Sequence, residues 1–526
     1  DVDAALFQHN SWVGSAAPSR RVAVSIRIFL VAIVGGYLAL VPNVQLIPDI
    51  GLFNSKRILE IGVLALMGLM LILSSAARSV WLSTWEQLSR SARAGLIAVL
   101  GLAGCSVAWA PRPEFAGLEV AHFVLLFALT GLIAHVVRHE SQTASKVVVG
   151  IALVSVLLYA VQFTVGFVLS LISSEIAAWP EGFIGFSNIR HFNQFQTWTL
   201  PLLIVPLLGG AKRNRLLQAG ALSLSALWWA LIIASNVRGT VLAMGIAALA
   251  LFVLFRHQAY AWLRYQAMAL AAGGVLYFVL FYLVLGMEPT LVDRLSSGSQ
   301  YAGRIEYWWA AAAMVAENPV LGAGPMHFAW PENYFGAGAH PHNALVQWAA
   351  EWGIPSALIL VGLAGWGFTA WIRQSKRVIS RRTAPVRIGL TAALVAGAAH
   401  AMVSGIIVMP VSQIWGVLII GTVWGLYLGA DRFRSQHRRQ IHSRFAHLAL
   451  SGLLMASIAL VGWRSVDGIQ HMQERRGAFL ESVDRNLLSP RYWQQGFIGI
   501  REVADNQATP RRDAQAHAHF DNDQTQ

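Results

Sequence analysis

The stretch GTVLAMGIAALALFVLFR, residues 239–256, decides the class of this protein. Between Arg238 and Arg256 it holds no charged side chain. A helix rising 1.5 Å per residue over that length comes close to crossing the roughly 30 Å of a bilayer's hydrocarbon. Similar runs recur along the chain, at about 26–44, 58–76, 93–109, 116–135, 147–170, 195–210, 216–234, 266–285, 354–371, 388–408, 411–430 and 446–462. Only 12% of the 526 residues are charged and 56% are hydrophobic, with a mean hydropathy of +0.53. A soluble globular protein carries about a quarter charged residues, so a soluble core is excluded. Apolar runs joined by short polar links make a helical bundle, whereas a membrane barrel shows alternating segments of about ten residues. The expected fold is therefore an all-α polytopic membrane protein with about 12–13 transmembrane helices and a long segment outside the bilayer.

Charge sets the orientation. Arg20, Arg21 and Arg27 precede the first span and place the N-terminal side in the cytoplasm. Counting onward, the basic links at Arg78 and Arg90, Arg138 and Lys146, Lys212 to Arg215, Arg256 and Arg264, Arg373 to Arg387 and Arg432 to Arg439 all fall on that side. Lys56 and Arg57 dissent. The expected organisation is a cytoplasmic segment 1–25, a membrane bundle 26–285, a long segment 286–353 on the opposite side (periplasmic if the host is a bacterium with two membranes), further spans 354–462 and a polar tail 463–526, partly disordered. The opening residues show no cleavable signal, and the first apolar run is expected to serve as signal anchor. The net charge of +13 suits anionic headgroups rather than nucleic acid, since the charges sit in short clusters between apolar runs. The single cysteine, Cys105, allows no intrachain disulfide and no cysteine-rich metal site.

Three arginines break the rule of few basic residues outside. Arg190 lies in GFSNIRHFNQFQTW, Arg238 in ASNVRGT at a junction with almost no loop, and Arg304 in GSQYAGRIEYWWAAA. Guanidinium forks suit a substrate carrying phosphates at headgroup level, although a lone arginine can also snorkel to lipid phosphate. The long outer segment adds HPHNALVQWAAEWGIPSALILV, in which a helix is expected from Asn343 or Ala344. His342 then sits at a helix N-terminus, where the dipole favours neutral imidazole, able to take a proton from a hydroxyl. His340 and His327 are possible partners, and a helix-capping histidine is the alternative. Glu351 could orient a group or face another polar residue. The outer acids Glu181, Asp293, Glu306, Glu317, Glu332 and Glu351 form no evident catalytic pair, and no HExxH pattern or compact carboxylate set points to a metal.

This pattern resembles the O-antigen ligase superfamily, which holds lipopolysaccharide O-antigen ligases, O-antigen polymerases and bacterial protein O-oligosaccharyltransferases. The ligase signature corresponds to His342, Asn343, nine residues to Trp352, Gly353, Ile354 and Pro355, with Ser356 where glycine, threonine or tyrosine is usual. Arg304 to Phe328 and Arg238 in SNVRGT resemble the family's outer arginine patterns, and Asn188 to Gln196, including Asn193 and Gln194, resembles its polar stretch. The resemblance implies an inverting, metal-independent membrane glycosyltransferase of the GT-C type without a cofactor. It implies a donor glycan on undecaprenyl diphosphate and a site on the periplasmic face of the bacterial inner membrane. Arg238, Arg304 and Arg190 would hold the diphosphate and His342 would activate the acceptor hydroxyl, with His340, Asn343, Glu351, Asn193 and Gln194 in support. The acceptor implied first is lipid A-core, in lipopolysaccharide biosynthesis. The alternatives are a protein Ser/Thr hydroxyl, another lipid-linked glycan, and a transporter of lipid-linked glycan. QWAAEWGIP and the outer tail look somewhat more like the protein-directed branch.

Overall fold

A computed structural model describes residues 20–173, 175–180, 182–208, 214–287, 299–331, 333, 338–378, 384–430, 443–482 and 489–499. Glu181, Asp293 and Glu332, most of the basic links at 209–213, 379–383 and 431–442, and everything after residue 499 lie outside them. Every described element is helical, so the chain is an all-α polytopic membrane protein.

Nine helical stretches are long and apolar enough to cross a membrane, or ten if the bent pair Leu52–Leu73 and Ser75–Glu86 is one span. That is fewer than the 12–13 expected, and the difference has a physical source. Arg238–Val284 counts as one stretch of 47 residues, which at 1.5 Å per residue is about 70 Å, twice what one crossing needs. The chain breaks inside it at Arg256, whose φ is 48°, between Arg238–Phe255 and Tyr260–Tyr277. Ile189–Leu203 and Val24–Leu40 are helical but too short to count as spans by length.

Two dissenting charges are explained by burial. Lys56 and Arg57 are 4% and 1% exposed. Lys56 donates to the Val41 carbonyl at 2.6 Å. Arg57 donates to Glu60 at 2.5 Å and to Gln413 at 2.6 Å. They are internal, hydrogen-bonded side chains rather than loop charges, so a rule about loops does not govern them.

Helix Ala344–Val378 is interrupted at Gly353, with φ 79° and ψ 159°. There the chain 319–324 crosses it closely. Ala323 N–H donates to the Ala350 carbonyl at 2.9 Å, Gly324 N–H to that of Glu351 at 3.1 Å, and Ile354 N–H to that of Pro319 at 2.9 Å. A Cβ on Gly322 or Gly353 would overlap the opposing backbone, so glycine is required on both sides of the crossing.

Candidate active site

The turn carrying the histidines is built from local hydrogen bonds. Asn343 caps helix Ala344–Val378: its Oδ1 accepts from Leu345 N–H at 3.0 Å and Val346 N–H at 3.2 Å. The capping role weighed for His342 thus belongs to its neighbour. His342 holds a left-handed backbone, φ 54°, which for a non-glycine residue is strained. Its N–H donates to His340 Nδ1 at 3.2 Å, which leaves His340 with its proton on Nε2. The two rings lie 4.1 Å apart.

Helix Ser299–Glu317 docks on this turn. Trp308 Nε1 donates to the Pro341 carbonyl at 3.0 Å, and the Tyr307 ring lies 5.7 Å from that of His342. Arg304, one turn earlier, therefore comes close to His342. Arg190 approaches from the start of Ile189–Leu203, with His191 beside it. Burial first, then Arg304, Arg190 and His191, hold the His342 imidazole down at about 3, so the ring is neutral. Burial likewise pushes His340 well below its ordinary value, with His342, Arg491 and His191 adding to the effect.

The third arginine, Arg238, is placed by packing. Asn193 Nδ2 donates to Gln196 at 2.7 Å and to Ser235 Oγ at 2.9 Å, and its carbonyl accepts from Thr240 at 2.9 Å. These bonds fix the turn at Asn236, also left-handed at φ 54°, from which Arg238 starts its helix. Gly239 packs against the His400 ring, where a Cβ would stand 2.7 Å from Nε2. Thr197 holds that ring by Nδ1 at 2.7 Å, and Arg304 acts on it electrostatically. Gln194 bonds Ser404 at 2.9 Å and Ser412 at 3.2 Å, next to Gly405, where a Cβ would overlap the His340 ring.

The structure thus brings Arg190, Arg304, His340 and His342 together, with Arg238 beginning at the His400 contact. Asn193, Gln194 and Asn343 are spent on helix and turn contacts. Glu351 is occupied by other partners: it accepts from Phe328 N–H at 3.0 Å, Gln347 at 3.2 Å and Arg491 at 2.6 Å. His327 is bound between the Pro325 carbonyl at 2.9 Å and Arg112 N–H at 3.0 Å, and burial lowers its titration. Sequence reasoning missed His191, His400 and Arg491, and nothing local marks the last two. His191 had one signal, its place beside Arg190. Among the described residues, no group of three or more His, Cys, Asp or Glu side chains could hold a metal ion.

Residues 222–361 match the family described as O-antigen ligase. Over that stretch the chain is similar to the O-antigen ligase superfamily. The ligase-family region holds Arg238, Arg304 and His342, while Arg190, His191, His400 and Arg491 reach the same neighbourhood from outside it. No curated protein matches the chain. The family supports membrane glycan transfer between a lipid-linked glycan and an acceptor in general.

Proposed function

We propose that the chain transfers a glycan from undecaprenyl diphosphate to a periplasmic acceptor hydroxyl, most directly that of lipid A-core, at the outer face of the bacterial inner membrane. The observation that carries this reading is a neutral imidazole, His342, set beside Arg190 and Arg304. His342 takes the proton from the acceptor O–H as the oxygen bonds to the anomeric carbon from the face opposite the diphosphate. The bond from that carbon to the phosphate oxygen breaks, and its electron pair leaves on undecaprenyl diphosphate. Arg190, Arg238 and Arg304 stabilise the added charge, which is the part a divalent cation plays elsewhere, and the configuration inverts. His340 and Asn343 hold the turn, Asn193 and Gln194 brace its neighbours, and Glu351 anchors it from behind. A protein Ser/Thr hydroxyl is the second reading, favoured by QWAAEWGIP.

Electrostatics favour an order of binding. An imidazole titrating near 3 is a weak base, and the two arginines that depress it are the groups expected to face the diphosphate. An anionic donor offsets their charge and raises the basicity of His342, so the donor prepares the base for the acceptor. The test is the purified protein with lipid-linked glycan and separate lipid A-core and peptide acceptors, without any ion gradient. Turnover should occur, and His342→Ala should fold normally and lose it. Normal turnover by that variant would sink the assignment.

A further inference from the structure

The C-terminal segment 489–499 is remote in sequence from the histidine turn yet lies against it. Arg491 is 2% exposed and donates through Nη2 to Glu119 and to Glu351, each at 2.6 Å. Glu351 in turn holds Phe328 N–H, and Ile498 N–H donates to the next carbonyl, that of Ala329, at 3.0 Å. Phe497 stacks on Phe479 and packs with Ala329 and with Ala339, the residue before His340. The segment therefore touches the chain both near Phe328 and directly in front of the histidine pair. It is also tied to the bundle, since Arg57 Nε donates to the Tyr492 carbonyl at 3.1 Å and Gln494 N–H to Asn54 at 2.9 Å. Two glycines let it approach so closely. Gly496 and Gly499 have φ of +84° and +71°, and a Cβ on Gly496 would overlap the Ser489 carbonyl and crowd Ala339, while one on Gly499 would overlap the Trp330 ring.

We infer that Arg491 is a positioning residue of the transfer site: held between Glu119 and Glu351, it presses segment 489–499 onto Ala329 and Ala339 and so sets where His342 stands. The inference rests on the function proposed above. A staple serving stability alone needs only the bundle contacts at Asn54 and Arg57; the contacts at Ala329 and Ala339 flank the chain that leads into the catalytic turn. Arginine suits the task because one nitrogen of its fixed fork can serve two buried carboxylates, where lysine offers a point charge on a flexible stem.

The test uses the full chain with three substitutions, Arg491→Met, Arg491→Lys and Gly499→Ala, each followed by thermal unfolding, KM for the lipid-linked donor, and kcat. The donor is gripped by other residues, so its KM should stay within about twofold. Misplacement of the base by an ångström costs up to about a hundredfold, so kcat of Arg491→Met should fall about ten- to a hundredfold. Arg491→Lys should recover part of that loss, and Gly499→Ala should show the same split between kcat and KM. Parental kcat in Arg491→Met overturns the inference, as does a parallel loss of donor binding and kcat in all three variants. If Arg491→Met does not fold, Gly499→Ala decides by the same criterion. Should His342→Ala remain active, the functional reading has failed; should it be dead while Arg491→Met and Gly499→Ala turn over normally, only the positioning role has.

Discussion

His342 combines a strained backbone with a neutral ring, and the second property has a thermodynamic consequence. Its imidazole titrates at about 3 in the folded protein against an ordinary 6.5. The unfolded chain takes up a proton below about 6.5 that the folded one refuses, so the contribution of neutral His342 is complete above that pH and is lost as the pH falls toward 3. His342→Gln should therefore show a shallower decline of thermal stability between pH 6.5 and 4 than the parent, measured in the same detergent; an unchanged acid limb would contradict the burial of the ring. Gly405→Ala tests the turn from beneath. Its Cβ would overlap the His340 ring, and overpacking of this kind costs about 1–3 kcal/mol. Turnover should fall in that variant while donor binding persists. At this scale, what was legible in the sequence was charge out of place: the expected topology puts Arg190, Arg238 and Arg304 on the side that loops keep poor in basic residues. His400 and Arg491 gave no such signal. His400 lies in an apolar helix and Arg491 in a polar tail, and each acquires meaning only from contacts with residues far away in the chain.

Helix Ala344–Val378 shows how an element serves the site. The sequence placed its start at Asn343 or Ala344 and a membrane run from 354, and the structure has the cap at Asn343 and the break at Gly353. The break lets the first turns lie under the histidines while the remainder runs on as a span. Losing the Asn343 cap costs about 1 kcal/mol in comparable helices, so Asn343→Ala should lower stability by about that amount and speed hydrogen exchange at Leu345 and Val346. Gly353→Ala should cost more, about 2–3 kcal/mol or above. It forces a positive φ on alanine and drives a Cβ into the Val320 carbonyl. A melting temperature equal to the parent's in Gly353→Ala would mean that the crossing of 319–324 over the helix is absent in solution. That crossing could not be read from the sequence, because its hydrogen bonds join backbones and leave no pattern in the side chains.

For the molecule as a whole, hydropathy gave the helical class, but length alone did not give the number of crossings. Short helices such as Ile189–Leu203 and broken ones such as Arg238–Val284 carry part of the site, and neither is a single straight span. The proposed orientation binds the number of crossings to function, since the arginines and His342 must share a compartment to grip one headgroup. It can be tested with one background. Cys105, exposed and the only cysteine, is replaced by serine, and single cysteines are introduced as Glu175→Cys, Glu306→Cys or Lys376→Cys at exposed positions. A membrane-impermeant thiol reagent should label the first two in intact spheroplasts and Lys376→Cys only after permeabilisation. The pairing matters more than either result alone. Glu175 precedes Arg190 in the same link, Glu306 adjoins Arg304, and Lys376 lies near the end of the helix that His342 leads into. A reagent that reached Glu175→Cys and Glu306→Cys from opposite sides would separate the two arginines that act on His342, and no diphosphate could then bridge them.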